Sequence, residues 1–188
     1  MRLFLAINLE PAVRDAIADA TAPLRSDAPS LRWTDASRLH LTLKFLGEQD
    51  AALVSGLSGA LGTVAERHKP FVMRVGEVGA FPNFRRARVV WIGVDRDPRL
   101  ELLHHDVEVA CEQLGFELEG RAFRPHITLA RVNDARASVD ELRKVWRASK
   151  QLDFEEESAV QSIDLMRSTP GAGGSRYERL HAAPLRSH

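Results

Sequence analysis

The sequence has one cysteine, no net charge and no long apolar run. With Cys111 alone among 188 residues, the chain builds neither an internal disulfide nor a cysteine-rich zinc site, as is common in the reducing cytoplasm. Its 26 basic and 26 acidic residues cancel, so no broad positive field is present to hold a nucleic-acid duplex. No segment reaches the ~20 apolar residues that span a bilayer, and the apolar run from Leu3 to Ile7 is too short for a signal peptide. We therefore predict a cytoplasmic protein with no membrane attachment.

The remaining composition is typical of one folded unit. Apolar residues make up 44% of the chain and charged residues 28%, which are ordinary values for a protein with a buried core. The length suits a single domain, and no low-complexity linker divides it. Residues 1–188 are therefore expected to form one domain, and we predict a monomer with no stable protein partner.

The spacing of apolar residues predicts a mixture of strands and helices. Strands are expected near 3–9, 31–34, 39–46, 71–78, 88–94, 123–132, 152–157, 160–167 and 177–181, and helices near 10–22, 51–68, 97–114 and 138–148. The second half repeats much of the order of the first half. We therefore expect the two halves to be lobes of one unit.

One polar pattern occurs in both halves. His40–Leu43 and His126–Leu129 each read histidine, apolar, threonine, apolar, and the two histidines stand 86 positions apart. With seven histidines and six threonines in the chain, chance placement gives about 0.04 such tetrapeptides, and about one sequence in a thousand would carry two. A single histidine in a strand more often only satisfies a hydrogen bond within the sheet. The repetition favours a shared catalytic site instead.

Strand geometry indicates what this pattern provides. Residues i and i+2 of a strand share a face, so each motif presents its histidine and its threonine together. The residues between and beyond them, Leu41, Leu43 and Phe45 in the first motif and Ile127 and Leu129 in the second, are expected to enter the core. Two facing lobes would bring two imidazoles to one cleft, which suits a reaction that needs one proton removed and another supplied, such as in-line displacement at phosphorus. A histidine-only metal site is the nearest rival, but two histidines give too few ligands, so we predict no metal and no cofactor.

The residues around the two motifs resemble a known family. The resembling stretches are Arg2-Leu-Phe-Leu-Ala-Ile-Asn-Leu, Leu39-His-Leu-Thr-Leu-Lys-Phe-Leu-Gly-Glu, Gly79-Ala-Phe-Pro and Phe123-Arg-Pro-His-Ile-Thr-Leu-Ala-Arg. Their order and spacing resemble the 2H phosphoesterases, and most closely the bacterial and archaeal RNA 2',3'-cyclic phosphodiesterases, once called 2'-5' RNA ligases. One departure is Asn8, where this family usually shows an acidic residue; it lies outside both motifs.

The resemblance implies both a fold and a reaction. The fold is bilobal α+β, made by duplication of a β-α-β-α-β-like unit, with antiparallel sheets facing a central cleft. The reaction is a metal-independent hydrolysis that opens a 2',3'-cyclic phosphate at an RNA end to a 2'-phosphomonoester. Weak 2'-5' RNA ligation follows when an RNA 5'-hydroxyl replaces water. By motif position, His40 corresponds to the proton donor for the departing 3'-oxygen, and His126 to the proton acceptor that activates water.

Five further residues are candidates for contacts with the substrate. Thr42 and Thr128 would donate hydroxyl hydrogen bonds to the non-bridging phosphate oxygens. By strand alternation, Lys44 and Arg124 share the faces of the two histidines and are the natural cations near the phosphate or the RNA backbone, with charges in solvent as the alternative. Arg131 matches a family position, although alternation places it opposite His126 unless the strand bulges.

Two other functions remain open. The same chemistry could act on a small cyclic nucleotide or on ADP-ribose cyclic phosphate. A non-catalytic protein that binds RNA ends could use the same cleft, although intact histidines and threonines in both motifs favour an enzyme.

Two features outside the motifs are interpreted without a functional role. On the third predicted helix, His104 and His105 lie one turn from Glu101 and Glu108, a spacing that could suggest a metal site. We interpret this cluster as a solvated helix face, since metal sites of that kind need matching motifs on further helices. Cys111 has no basic neighbour that would lower its pKa, so we expect it to pack as a small apolar residue.

Overall fold

The computed structural model describes residues 1–132, 139–172 and 174–186. Its elements are β1 (Arg2–Asn8), α1 (Pro11–Asp27), β2 (Arg32–Trp33), β3 (His40–Glu48), α2 (Leu53–Ala65), β4 (Phe71–Phe81), β5 (Val89–Val94), α3 (Pro98–Gln113), β6 (His126–Arg131), α4 (Val139–Gln151), β7 (Glu155–Val160), β8 (Ser162–Thr169) and β9 (Arg176–Pro184). Within these ranges, no helix is long and apolar enough to cross a membrane.

One antiparallel sheet connects the two halves of the molecule. Among the described residues, nine strands lie in the order β7-β4-β5-β6-β3-β1-β8-β9, with β2 added to β6. The inner strands β3 and β6 meet through a bridge between Leu41 and Ile127. Outward from that bridge, β1 and β8 follow β3, while β5 and β4 follow β6. The predicted α+β fold of two duplicated lobes is confirmed, and the strands of both lobes are continuous with each other.

The two faces of this sheet have different surroundings. Apolar side chains on one face pack with the helices into the main core, which includes Leu5 and Ile7 of β1, Leu41 of β3, and Ile127 of β6. The other face carries the polar positions of both histidine motifs. A small separate cluster of Phe4, Ala6 and Met166 also lies outside the main core. This second face of the sheet, the cleft face, holds the residues that matter for function.

Several element boundaries differ from those predicted. Helix α1 continues through Pro23 to Asp27, whereas the sequence pattern placed its end near residue 22. Leu24 in that last turn is 1% exposed, and its burial outweighs the backbone hydrogen bond that the proline cannot make. Strand β6 begins at His126 itself, after four residues without regular structure. The predicted start of the fourth helix, at residue 138, lies outside the described residues.

Candidate active site

Both motif strands contain a β-bulge at the same motif position. Along β3, Leu5 pairs with Lys44 and Ala6 with Thr42, so Leu43 is an extra residue. Along β6, Val90 pairs with Ala130 and Trp91 with Thr128, so Leu129 is the extra one. A bulge of one residue reverses the alternation of all side chains beyond it. The duplicated lobes therefore share a distortion that the sequence pattern did not predict.

The bridge between the lobes brings the two motifs together. Because Leu41 pairs with Ile127 in antiparallel register, His40 stands across from Thr128, and Thr42 stands across from His126. Side chains opposite each other in such a pair lie about 5 Å apart at Cβ. Consistent with this proximity, a charge on His126 lowers the pKa of His40. The structure thus places both predicted histidines and both predicted threonines on one patch of the cleft face.

His40 is held by its backbone neighbours and by two aromatic rings. Its Nδ1 donates to the carbonyl oxygen of Arg38 at 2.7 Å, which leaves Nε2 as the nitrogen free to exchange protons. Nε2 lies 3.1 Å from the hydroxyl of Thr42. The ring centres of Phe4 and Tyr177 stand 5.1 and 5.3 Å from the imidazole. These contacts fix the ring in an orientation suited to proton transfer.

His126 has a matching environment in the other lobe. Its Nδ1 donates to the carbonyl oxygen of Arg124 at 2.8 Å, the same contact two residues upstream that His40 makes. Phe81 meets the imidazole edge to face at 4.9 Å, and the Trp91 ring lies 6.4 Å away. The duplication therefore extends from the motifs to the tautomer of each histidine and to its aromatic neighbours.

The pKa values of both histidines lie below the ordinary value for imidazole. Burial is the main cause in each case, because it disfavours the charged ring. The positive charge of Arg131 lowers the pKa of both histidines further, and Arg14 adds to the effect on His40. One guanidinium therefore lies near both imidazoles. The carbonyl contacts of the two Nδ1 atoms act in the opposite direction.

These shifts predict the pH dependence of kcat/KM, which reports the free enzyme. If one imidazole acts as acid and the other as base, the profile is bell-shaped. The pH at the midpoint of each limb lies below about 6.5, the ordinary pKa of an imidazole, because the pKa values of both histidines are lowered. In Arg131→Met, loss of the positive charge favours both imidazolium forms, so both limbs move to higher pH. Arg74→Met, which removes a cation from an exposed ion pair, leaves them in place. Initial rates across pH measure this profile, and a wild-type maximum above about pH 6.5 would contradict the prediction.

The structure corrects the predicted role of Lys44. Because the bulge at Leu43 reverses the alternation, Lys44 points away from His40 and toward α3. Its Nζ lies 2.7 and 2.9 Å from the carboxylate oxygens of Glu108 and also donates to the carbonyl of Glu117 at 2.8 Å. Lysine and glutamate side chains are both only 8% exposed. The Lys44 ammonium is therefore part of the protein interior and does not reach the cleft.

The same bulge moves Phe45 in the opposite direction. The sequence pattern placed this ring in the core, but 68% of it is exposed. It pairs with Phe4, whose ring centre is 6.3 Å away, on the cleft face. In the other lobe the equivalent position after the bulge is Arg131, which is likewise exposed beyond the motif. The bulge at Leu129 thus places Arg131 on the same face as His126. The sequence pattern allowed Arg131 on that face only if the strand bulged.

The backbone and the side chain of Arg124 have different positions relative to the site. Its backbone carbonyl orients His126, while its exposed side chain lines a cavity beside Trp91. The prediction that Arg124 shares the face of His126 assumed that both lie in one strand. Arg124 precedes β6, so strand alternation does not apply to it.

A further cation near His40 was missed by sequence reasoning. Arg14 of α1 reaches the side-chain oxygen of Asn8 at 3.3 Å and the carbonyl of Ser37 at 2.9 Å. Asn8 pairs with His40 across β1 and β3, and its amide donates to fully buried Asp164 at 2.6 Å. Asn8 was noted only as a departure from the family pattern. Its position shows that it ties Arg14 and Asp164 together at the edge of the site.

The features set aside in the sequence have structural roles. His104 is not part of a solvated face as predicted: its ring stacks on Phe123 at 3.8 Å, and Glu108 beside it is buried. Cys111 is buried as predicted, which raises the pKa of its thiol to about 11. Across residues 1–132, 139–172 and 174–186, no three histidine, cysteine, aspartate or glutamate side chains are grouped so that they could hold a metal ion.

Comparisons with known proteins found both a matching family model and similar sequences. The family model described as the 2'-5' RNA ligase superfamily matches residues 10–172. The RNA 2',3'-cyclic phosphodiesterase of Archaeoglobus fulgidus is 32% identical over 180 residues, which cover 96% of this chain and 98% of that protein. The enzyme of the same name from Geobacillus stearothermophilus is also 32% identical, over 97% of this chain, which spans 56% of the length of that relative.

Solved structures show the same fold over nearly the whole chain. A protein of Thermus thermophilus superposes with a TM-score of 0.79 at 28% identity, covering 99% of this chain and 98% of the other. Escherichia coli LigT complexed with 3'-AMP superposes with a TM-score of 0.74 at 28% identity and the same coverage. The similarity thus includes both lobes and the bridge between them.

Proposed function

Since the chain belongs to the 2'-5' RNA ligase superfamily and is an enzyme of the cyclic phosphodiesterase type, we propose that it hydrolyses 2',3'-cyclic phosphate ends of RNA to 2'-phosphomonoesters. The observation that carries this proposal is the pair of His-x-Thr motifs that face each other across the bridge on one face of the sheet, where the bulge in β6 also exposes Arg131. The names of the matching relatives support RNA ends as the substrate class.

The two imidazoles divide the proton transfers between them. Water attacks phosphorus on the side of His126, whose Nε2 takes the proton. His40 lies on the other side and protonates the 3'-oxygen as its bond to phosphorus breaks, which leaves the phosphate on the 2'-oxygen. An RNA 5'-hydroxyl that takes the place of water gives a 2',5'-linkage by the same transfers, which is the ligation reaction.

The remaining polar groups stabilise the charge that develops on the phosphate. The hydroxyls of Thr42 and Thr128 lie on the face of the two histidines and can donate to the non-bridging oxygens. The positive charge of Arg131 acts on both rings. Oriented donors of this kind stabilise a transition state without a bound metal ion. We therefore propose that the reaction is metal-independent.

One assay tests the proposal. Purified protein is incubated with an oligoribonucleotide ending in a 2',3'-cyclic phosphate, with and without EDTA, and the product is compared with 2'- and 3'-phosphate standards by phosphorus NMR. We expect a 2'-phosphate and a rate that EDTA changes by less than about twofold, since no step is assigned to a metal. Loss of activity in EDTA with recovery on adding Zn²⁺ would contradict the metal-free mechanism.

The same assay separates the other functions. A predominantly 3'-phosphate product would reverse the roles of His40 and His126. Hydrolysis of small cyclic nucleotides or of ADP-ribose cyclic phosphate without turnover of the oligonucleotide would change the substrate class. Binding of the oligonucleotide without turnover would indicate a non-catalytic protein. The cytoplasmic location and the monomeric state stay predictions.

A further inference from the structure

The two lobes differ in what lies beside each histidine. On β1, Asn8 pairs with His40, and the space around it is filled by Asp164 and by Arg14 from α1. On β5, the equivalent partner of His126 is Gly93. The duplicated fold is therefore closed by polar side chains beside His40 and left open beside His126.

A cavity of about 260 Å³ occupies the open side. The residues of its lining that bear on a ligand are Gly76, Glu77, Trp91, Gly93, Asp95 and Arg124. Strand β5 flanks β6 on the side away from β3, so this cavity and His40 lie on opposite sides of His126. A group bound there reaches phosphorus from the direction of the attacking nucleophile.

Trp91 forms a flat apolar wall of this cavity. Its indole lies directly over Gly79, where a Cβ would stand 2.2 Å from the ring atoms, so only glycine allows the ring to lie there. Phe81, with its ring centre 5.1 Å from that of Trp91, supports it from the side. A rigid and partly exposed aromatic ring is the usual surface on which a nucleobase stacks.

The polar groups of the cavity suit the rest of a nucleoside. Arg124 is a donor for the phosphate that follows in an RNA strand. The carboxylates of Glu77 and Asp95 can accept hydrogen bonds from ribose hydroxyls. Water as the nucleophile needs none of these groups, whereas a nucleoside with a free 5'-hydroxyl would use them all.

We propose that this cavity binds the first nucleoside of a second RNA segment, which carries a free 5'-hydroxyl, and that the base of this nucleoside stacks on Trp91. This inference rests on the proposed function and on the role given to His126. In ligation, the 5'-oxygen forms a bond to phosphorus and the bond from phosphorus to the 3'-oxygen breaks. His126 takes the proton of the 5'-hydroxyl, and His40 gives a proton to the departing 3'-oxygen. In the reverse direction, the 3'-hydroxyl of a 2',5'-linked dinucleotide attacks, and the 5'-hydroxyl nucleoside leaves. No other reactant is consumed.

The test compares two reactions of each variant. One is hydrolysis of an oligoribonucleotide that ends in a 2',3'-cyclic phosphate, and the other is cleavage of a 2',5'-linked adenosine dinucleotide. In Trp91→Leu, which keeps apolar bulk over Gly79, we expect kcat/KM for cleavage to fall about 10- to 100-fold more than kcat/KM for hydrolysis. Trp91→Phe keeps a stacking ring, so it should restore most of that ratio.

The controls make each outcome decisive. Trp146→Ala removes an exposed tryptophan from α4 and leaves the ratio unchanged. If Trp91→Leu fails to fold, Arg124→Met tests the same cavity with a 2',5'-linked adenosine dinucleotide that carries a 3'-phosphate on its second nucleoside. Loss of the cation that would bind this phosphate should raise KM for that dinucleotide more than KM for the cyclic end. Equal losses in both reactions would overturn the inference, as would a wild-type protein that hydrolyses the cyclic end but never cleaves the dinucleotide. Absence of hydrolysis by the wild-type protein would instead overturn the proposed function.

Discussion

His40→Ala and His126→Ala should each lower kcat/KM for the cyclic-phosphate end by about 10²- to 10⁴-fold, the usual effect of losing a general acid or base. Each side chain is half-buried at the cleft face, and each lobe contributes one of the two motif histidines. Single-turnover rates with the labelled oligoribonucleotide measure the loss. The double variant should be no more than slightly slower than either single one, because the two groups act as a unit.

Two controls show whether a loss of activity comes from the missing imidazole or from a disturbed fold. Circular dichroism and thermal unfolding should show a native fold in both variants, since neither imidazole belongs to the main core. His105→Ala, which removes an exposed histidine from α3, serves as the matched control and should retain the wild-type rate. A single variant with a near-native rate would refute the paired mechanism.

Lys44→Met should destabilise the protein by about 3 to 5 kcal/mol, because it leaves the buried carboxylate of Glu108 without its cation. The lysine also holds the carbonyl of Glu117, and Glu108 accepts from the backbone nitrogen of Glu119 at 3.0 Å. The ion pair thus joins β3 to the segment that leads into β6. Urea unfolding, analysed as a two-state transition, gives the change in the free energy of unfolding.

Two comparison variants locate the cause of that loss. Replacing both partners, as in Lys44→Met with Glu108→Met, removes both buried charges and should recover part of the stability. Arg74→Met disrupts exposed ion pairs with Glu155 and Glu157 and should cost no more than about 1 kcal/mol. If Lys44→Met cost as little as Arg74→Met, the buried pair would contribute far less than its geometry indicates.

The motifs could be read from the sequence because their chemistry is local. A histidine and a threonine two positions apart share a face in any strand, so His40 and Thr42 needed no knowledge of the fold. The duplication likewise appears as a repeated pattern in the chain. The core on the other face followed from the same alternation, as Leu41 and Ile127 confirm.

Positions beyond the motifs could not be predicted in the same way. Alternation fails after one inserted residue, and nothing in the apolar pattern shows that Leu43 and Leu129 are that residue. Lys44 and Phe45 were therefore each assigned to the wrong face. Arg14 was missed for another reason, since its approach to Asn8 depends on how α1 packs across the sheet.

The crossed arrangement at the bridge has a consequence for the origin of the site. His40 stands across from Thr128, and Thr42 across from His126, so neither lobe alone contains a complete set of facing groups. On the proposed mechanism, half of this chain would be inactive by itself. Two copies of one lobe, paired edge to edge through β3 around a two-fold axis, would supply both crossed pairs at once. The site is therefore one that a homodimer of half-length chains could have formed before the two copies were fused.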